Sequence, residues 1–260
     1  MAREKRIGKR SALLALIGCI LLILPWVLPP LAQPQGYHGF ADRRAWLGIP
    51  NFGDVASNAA FLLAALLGLL AVYRTSHEKM AAAPRRAYAA TFLGLVLTAF
   101  GSAYYHWAPS DARLVWDRLP MTLVFMPLLA ATLAERLCWR WQFPLPALAV
   151  IGVASVLYWK FSGNILPYFV AEFGSILLIL LTVLLFSSPW SGRGLIFAVM
   201  ASYALAFLCE RGDKLIFQWT GGVISGHTCK HLAAALAFCL LARMLRRQQR
   251  LPDPVPLSVA

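Results

Sequence analysis

Acidic residues are scarce in this chain: 11 Asp and Glu stand against 24 Lys and Arg in 260 residues. Charged residues of both signs make up 13%, well short of the roughly 25% usual in a soluble domain. That shortage excludes an ordinary water-soluble globule. Cysteine is sparse too, with five residues, Cys19, Cys138, Cys209, Cys229 and Cys239, each in or beside an apolar run. An odd number so placed reads as small buried hydrophobes. Strand alternation, internal repeats, Gly/Ser linkers and low-complexity tracts are absent, so nothing divides the chain into independently folded parts. Gly221, Gly222 and Gly226 are followed by no Lys-Ser/Thr pair. They are turn and hinge material before His227, not a phosphate loop.

What is abundant is apolar sequence, 60% of the residues at a mean hydropathy of +0.65. Crossing about 30 Å of hydrocarbon takes about 20 residues of helix. Runs near that length fall at 11–31, 55–73, 87–107, 119–138, 145–161, 165–186, 194–209 and 228–245, the fifth and seventh being the shortest. The expectation is an all-α, polytopic transmembrane bundle of seven helices plus one extra N-terminal helix. Residues 1–32 form the basic N-terminus with that helix, 33–245 the seven-helix domain, and 246–260 a basic, loose cytoplasmic tail. The opening, basic then apolar, shares its layout with a secretory signal. No clean small-x-small cleavage site precedes Gln33, with Pro30 two positions ahead of Ala32, so an uncleaved anchor is expected.

The net charge of +13 suggests nucleic acid at first sight. With the N-terminus inside, however, 16 of the 24 Lys and Arg fall on the cytoplasmic side of eight spans, which is the bias membrane topology produces. The basic ends, MAREKRIGKR and RMLRRQQR, then face anionic lipid, and nucleic acid is not an expected partner. Both termini are placed in the cytoplasm, in a membrane of the bacterial inner type. Oligomeric state is not legible.

Three histidines stand at one side of such a bundle: His106 where the third run ends, and His227 and His231 where the eighth begins. An imidazole at the edge of hydrocarbon is costly unless it binds something. His227 and His231 are four apart, which puts both rings on one helix face about 5–6 Å apart at Cβ. His106 can supply a third nitrogen, leaving the open position that a catalytic zinc keeps for water. Cys229 points some 200° around the helix from His227 and cannot easily share that metal. Ser102 lies one turn before His106, and Asp117 is expected to open the next helix after a short outer loop. An acid beside an activated water is a candidate base, and a serine hydroxyl a candidate donor to an oxyanion. Each also has a plainer reading, Asp117 as a helix cap and Ser102 as a small packing contact. Glu172, inside the sixth run, should face the bundle, either structurally or along a lipid cavity. Glu210, Arg211, Asp213 and Lys214 read as an internal salt-bridge network positioning GGVISGH, or else as partners of a histidine.

The strings GSAYYHWAPSDARLVWDRLPM, GHTCKHLAAALA and NFGDVASNAAFL, the last with Ser57 and Asn58, resemble the alkaline ceramidases. These sit in a wider superfamily of seven-helix membrane hydrolases, with the adiponectin-receptor-like and Per1-type proteins. The resemblance spans roughly 51–245. It implies His106, His227 and His231 as zinc ligands, with Ser102 and Asp117 as catalytic residues. The implied enzyme is an integral membrane amidohydrolase that cleaves a ceramide-like lipid with zinc-activated water, its site toward the periplasmic side. An ester hydrolase of the same superfamily, or a non-enzymatic metal- or haem-binding membrane protein, is the alternative. Animal relatives carry an acidic, calcium-binding cluster ahead of and within the first conserved helix. Here Asn51 and Asp54 stand at matching positions behind ADRRAWLG, so calcium dependence does not carry over.

Overall fold

The structure, a computed structural model, describes residues 2–76, 78–137, 144–188, 190–249 and 251. Among them there are helices and turns but no strand: α1 (Ala2–Val27), α2 (Phe52–Ala56), α3 (Ala59–Arg74), α4 (Ala82–Trp107), α5 (Asp111–Arg136), α6 (Pro144–Ser162), α7 (Leu166–Leu185), α8 (Arg193–Arg211), α9 (Asp213–Trp219) and α10 (Gly226–Arg247). Among the described residues, eight segments are long and apolar enough to cross a membrane, with α2 and α3 forming one of them. The protein is an integral, multi-pass membrane protein. Cys138 and residues 252–260 of the tail lie outside the described residues. Cys19 is exposed, because α1 turns much of its apolar surface outward, and Cys209, Cys229 and Cys239 are half-buried, so none of the described cysteines is fully buried as expected.

Helix ends depart from the hydropathy reading where polar chemistry sets them. The first helix stops at Val27 instead of 31, ahead of Pro29 and Pro30, whose rings remove donors and restrict the residues before them. The fourth span begins at Asp111, eight residues before the apolar run. There Ser110 is the N-cap, its hydroxyl oxygen accepting from the Arg113 amide. Asp117 therefore lies nearly two turns inside α5 and neither opens nor caps it. The expected single helix over 55–73 is broken at Ser57 and Asn58. The Asn58 amide donates to the Asp54 carbonyl at 2.7 Å and the Ser57 hydroxyl to the same carbonyl at 3.2 Å. Side chains thus take over acceptors that the helical ladder would use.

Exposed Leu and Phe side chains cover the outside, including Leu63, Leu66, Leu93, Leu97, Phe161 and Leu208. A helix apolar all round is suited to lipid on one face and protein on the other. Inside, small residues let backbones close up, as membrane helix packing requires. A Cβ at Gly101 of α4 would overlap the Trp116 carbonyl oxygen of α5, and one at Gly94 the Leu123 carbonyl. This close approach of α4 and α5 is what brings Ser102 and His106 level with Asp117. Helix α1 packs on α7, with Leu21 against Gly174. Beyond it, the Ile165 amide donates to the Leu31 carbonyl and the Leu31 amide to Asn164 Oδ1. Residues 28–51 are pinned in this way across one end of the bundle.

Candidate metal centre and lipid cavity

His106 near the end of α4 and His227 and His231 at the start of α10 meet at that end of the bundle, all three buried, at 1%, 3% and 2% exposure. One nitrogen from each falls within 4.8 Å of the others. Nε2 of His106 and Nε2 of His227 are 3.2 Å apart. Two nitrogens bound at about 2.0–2.1 Å to one tetrahedral zinc would stand about 3.3 Å apart, so the spacing fits a shared ion. The rings meet edge to face, with centroids 4.7 to 5.0 Å apart. His106 Nδ1 is buried without a hydrogen-bond partner. Ring nitrogens crowded this closely repel one another through their lone pairs unless a proton or a cation lies between them, so the cluster is suited to a cation. Cys229 does not join the group.

The break between α2 and α3 explains how one ligand is oriented. Ser57 Oγ lies 2.8 Å from His231 Nδ1. A consistent assignment has Nδ1–H donating to Ser57, whose own hydrogen goes to the Asp54 carbonyl, leaving Nε2 of His231 with its lone pair toward the other rings. Such partners typically hold metal affinity up by about 10–100-fold. If the three rings hold a metal ion, replacing Ser57 by Ala is expected to weaken its binding by that factor, read by competition with a chromophoric chelator. An unchanged affinity would remove this role.

The start of α10 is fixed by neighbours. Ser225 caps it, accepting from the Thr228 amide at 2.9 Å. The Thr228 hydroxyl donates to Asp54 Oδ1 at 2.7 Å, tying α10 to α2. Asp213, the first residue of α9, accepts from the His227 amide with one oxygen and the Ala41 amide with the other, both at 2.8 Å. That second bond sets Phe40, whose ring lies 4.8 Å from His106 and 4.5 Å from His227, centroid to centroid. The salt-bridge network expected among Glu210, Arg211, Asp213 and Lys214 does not form. Asp213 serves backbone amides, and Glu210 pairs with Lys230 of α10 at 2.6 Å. Gly226 is not a hinge: it is the first residue of α10, and a Cβ there would overlap the Cys209 carbonyl. Gly221 and Gly222 do make the turn, with φ of 62° and 77°.

Ser102 and Asp117 are both buried beside the histidines, and the serine hydroxyl faces the aspartate carboxyl. All five expected site residues except His106 line a cavity of about 850 Å³, which His106 backs through its contacts with His227 and His231. Glu172 lies on the same wall and also accepts from the Tyr203 hydroxyl at 3.3 Å, so it both lines the cavity and makes a structural hydrogen bond. Phe61, Phe125, Phe169, Phe173 and Phe207 make the rest largely apolar. A volume of this size exceeds what a water site needs and fits the polar head and first methylenes of an amphiphile.

Of the two residues at the calcium-related positions, Asn51 has a protein partner, while Asp54 accepts from the Ser225 and Thr228 hydroxyls on Oδ1 and keeps Oδ2 buried without a hydrogen-bond partner. Asn51, at φ 46° in the left-handed region that Asn tolerates, donates its amide to the His106 carbonyl at 2.8 Å. Asp42 takes the Arg44 guanidinium on both oxygens, at 2.8 and 2.7 Å, which holds its carboxyl below the ordinary value.

Hydropathy and spacing gave no hint of Phe40, Ser57 as a histidine partner, or the Glu210–Lys230 pair; Asp213, one of the residues expected to partner a histidine, does so through the His227 main-chain amide and not its ring. Lys230, between the two helix histidines in GHTCKH, was the one visible signal, since a lysine beside a metal motif needs a counter-charge.

The family model described as Ceramidase matches residues 49–247. That range runs from just before α2 to the end of α10, holds all five site residues, and leaves α1 and most of the 28–51 segment outside. No curated protein matches the chain.

Proposed function

The chain belongs to the ceramidase family, and from that premise we propose that it is a zinc-dependent hydrolase of a ceramide-like lipid amide. The observation that carries this reading is the convergence of three buried imidazoles, with Ser102 and Asp117, on a largely apolar cavity inside a membrane bundle. His106, His227 and His231 would hold the ion. A zinc there supplies a Lewis acid and lowers the pKa of water toward about 7.

The chain's own residues do the rest. The largely apolar wall takes the acyl chain from the bilayer and keeps bulk water from the amide. Asp117 accepts a proton from the attacking water on a carboxylate oxygen as the water oxygen bonds to the carbonyl carbon. Ser102 donates a hydrogen bond to the oxygen that gains negative charge. The C–N bond then breaks as Asp117 returns the proton to the leaving nitrogen, giving a fatty acid and an amine. Asn51 is committed to His106 and Asp42 to Arg44, and the reading assigns no step to calcium.

A panel of ceramides, other fatty-acid amides and phospholipids, incubated with the purified protein in detergent and read by mass, tests this directly. Fatty acid is expected from amides, with turnover indifferent to EGTA and abolished by 1,10-phenanthroline. Release from phospholipid esters alone would overturn the amidase reading.

A further inference from the structure

Arg118 follows Asp117 on α5 but faces another part of the same cavity, and its environment is unusual for a charge inside a membrane protein. It is 2% exposed. Its guanidinium carbon lies 4.4 Å from the Trp159 ring centroid, 5.0 Å from Tyr168 and 5.3 Å from Tyr37. Nη2 donates to Gln33 Oε1 at 2.7 Å. Nη1 is buried with no hydrogen-bond partner. Among the described residues no carboxylate forms an ion pair with it. Burial holds the Tyr37 phenol above its ordinary value, so it stays neutral beside the guanidinium, and the carboxylates of Asp117 and Glu172 act on Arg118 only at longer range, without a direct ion pair.

Three aromatic faces stabilise a cation and orient its plane without neutralising it. A buried guanidinium left with a free N–H edge is costly until an anion meets it. Two of the groups that hold it, Gln33 and Tyr37, come from the segment outside the family match, while Arg118, Trp159 and Tyr168 lie within it. Arg118, Gln33, Tyr37 and Tyr168 all line the cavity.

We propose that Arg118 is an anion-recognition residue, and that the preferred lipid amide carries a carboxylate or phosphate on its amine side, which docks on the free guanidinium edge. This rests on the amidase reading and narrows its substrate class. In an intact fatty amide the acyl side is hydrocarbon, so the anion must belong to the part that leaves as the amine. The planar fork of Arg118 can grip two oxygens of such a group.

The test compares N-palmitoylglycine with N-palmitoylethanolamine, which share acyl chain and amide and differ in a carboxylate against a hydroxymethyl group. Binding is measured in detergent on an Asp117→Asn background, so neither lipid is consumed. The glycine conjugate is expected to bind about ten- to a hundredfold more tightly. Arg118→Gln is expected to erase that preference and Arg118→Lys to keep part of it, while millimolar inorganic phosphate fails to displace the lipid. Equal affinities, or a preference that survives Arg118→Gln, would overturn the proposal. So would palmitate binding as tightly with the same dependence on Arg118, which would make the released acid the ligand, or displacement by phosphate, which would make it a free-anion site. A purely structural Arg118 lowers both affinities together and leaves their ratio unmoved. Hydrolysis of either amide by the unmodified protein is scored separately, so loss of the head-group preference and loss of amidase activity are distinct results.

Discussion

Replacing Asp117 by Asn is expected to cut lipid-amide turnover by about two to four orders of magnitude, the usual contribution of a positioned general acid–base. The change conserves shape and removes the group that holds a proton. Asp117 is buried at the cavity wall, beside Ser102 and close to the histidine cluster. The variant should keep its helical content, its elution volume in detergent and its bound metal, because Asp117 is not among the three residues whose nitrogens converge. Turnover at the unmodified rate would show that the proton is moved by another group. Loss of metal along with activity would place Asp117 in the coordination sphere instead.

The largest effect is expected at the histidines. His231→Ala removes one of three converging nitrogens and strands its partner, the Ser57 hydroxyl. Two imidazoles from two helices are a poor zinc site, since catalytic zinc keeps three protein ligands. Both bound metal and turnover should fall to background. The bundle should persist, because its helices are held by close backbone contacts such as Gly94 and Gly101 of α4 on α5, in which His231 takes no part. Helical circular dichroism and a monodisperse elution profile check this. Activity retained in His231→Ala would mean that the three rings do not act through one ion.

The features legible from sequence were those that depend on chain-local periodicity. Eight spans follow from run length and hydropathy, and the alternation of their directions brings the end of α4 and the starts of α5 and α10 to one side. The i, i+4 spacing of Ser102 with His106, and of His227 with His231, fixes shared faces without tertiary information. Chemistry that overrides hydropathy was hidden. Residues 111–118, DARLVWDR, are too polar to register as part of a span, yet Ser110 starts the helix there and Asp117 lands inside it. The break at Ser57 and Asn58 sits within an apolar run, and its purpose shows only once His231, 174 residues later, lies against it. Arg118 is visible in WDRLPM, but its cage comes from Gln33, Tyr37, Trp159 and Tyr168 on three other segments. Spacing alone cannot assemble a site whose parts meet only through packing.

The most direct measurement of the central claim is the metal content of the purified protein, combined with X-ray absorption at the metal edge, for the unmodified chain and each single histidine variant. The account predicts close to one zinc per chain, with imidazole nitrogens at about 2.0–2.1 Å, and its loss when any one of His106, His227 or His231 becomes Ala. A haem Soret band, or zinc held in full after two of the three are replaced, would contradict it.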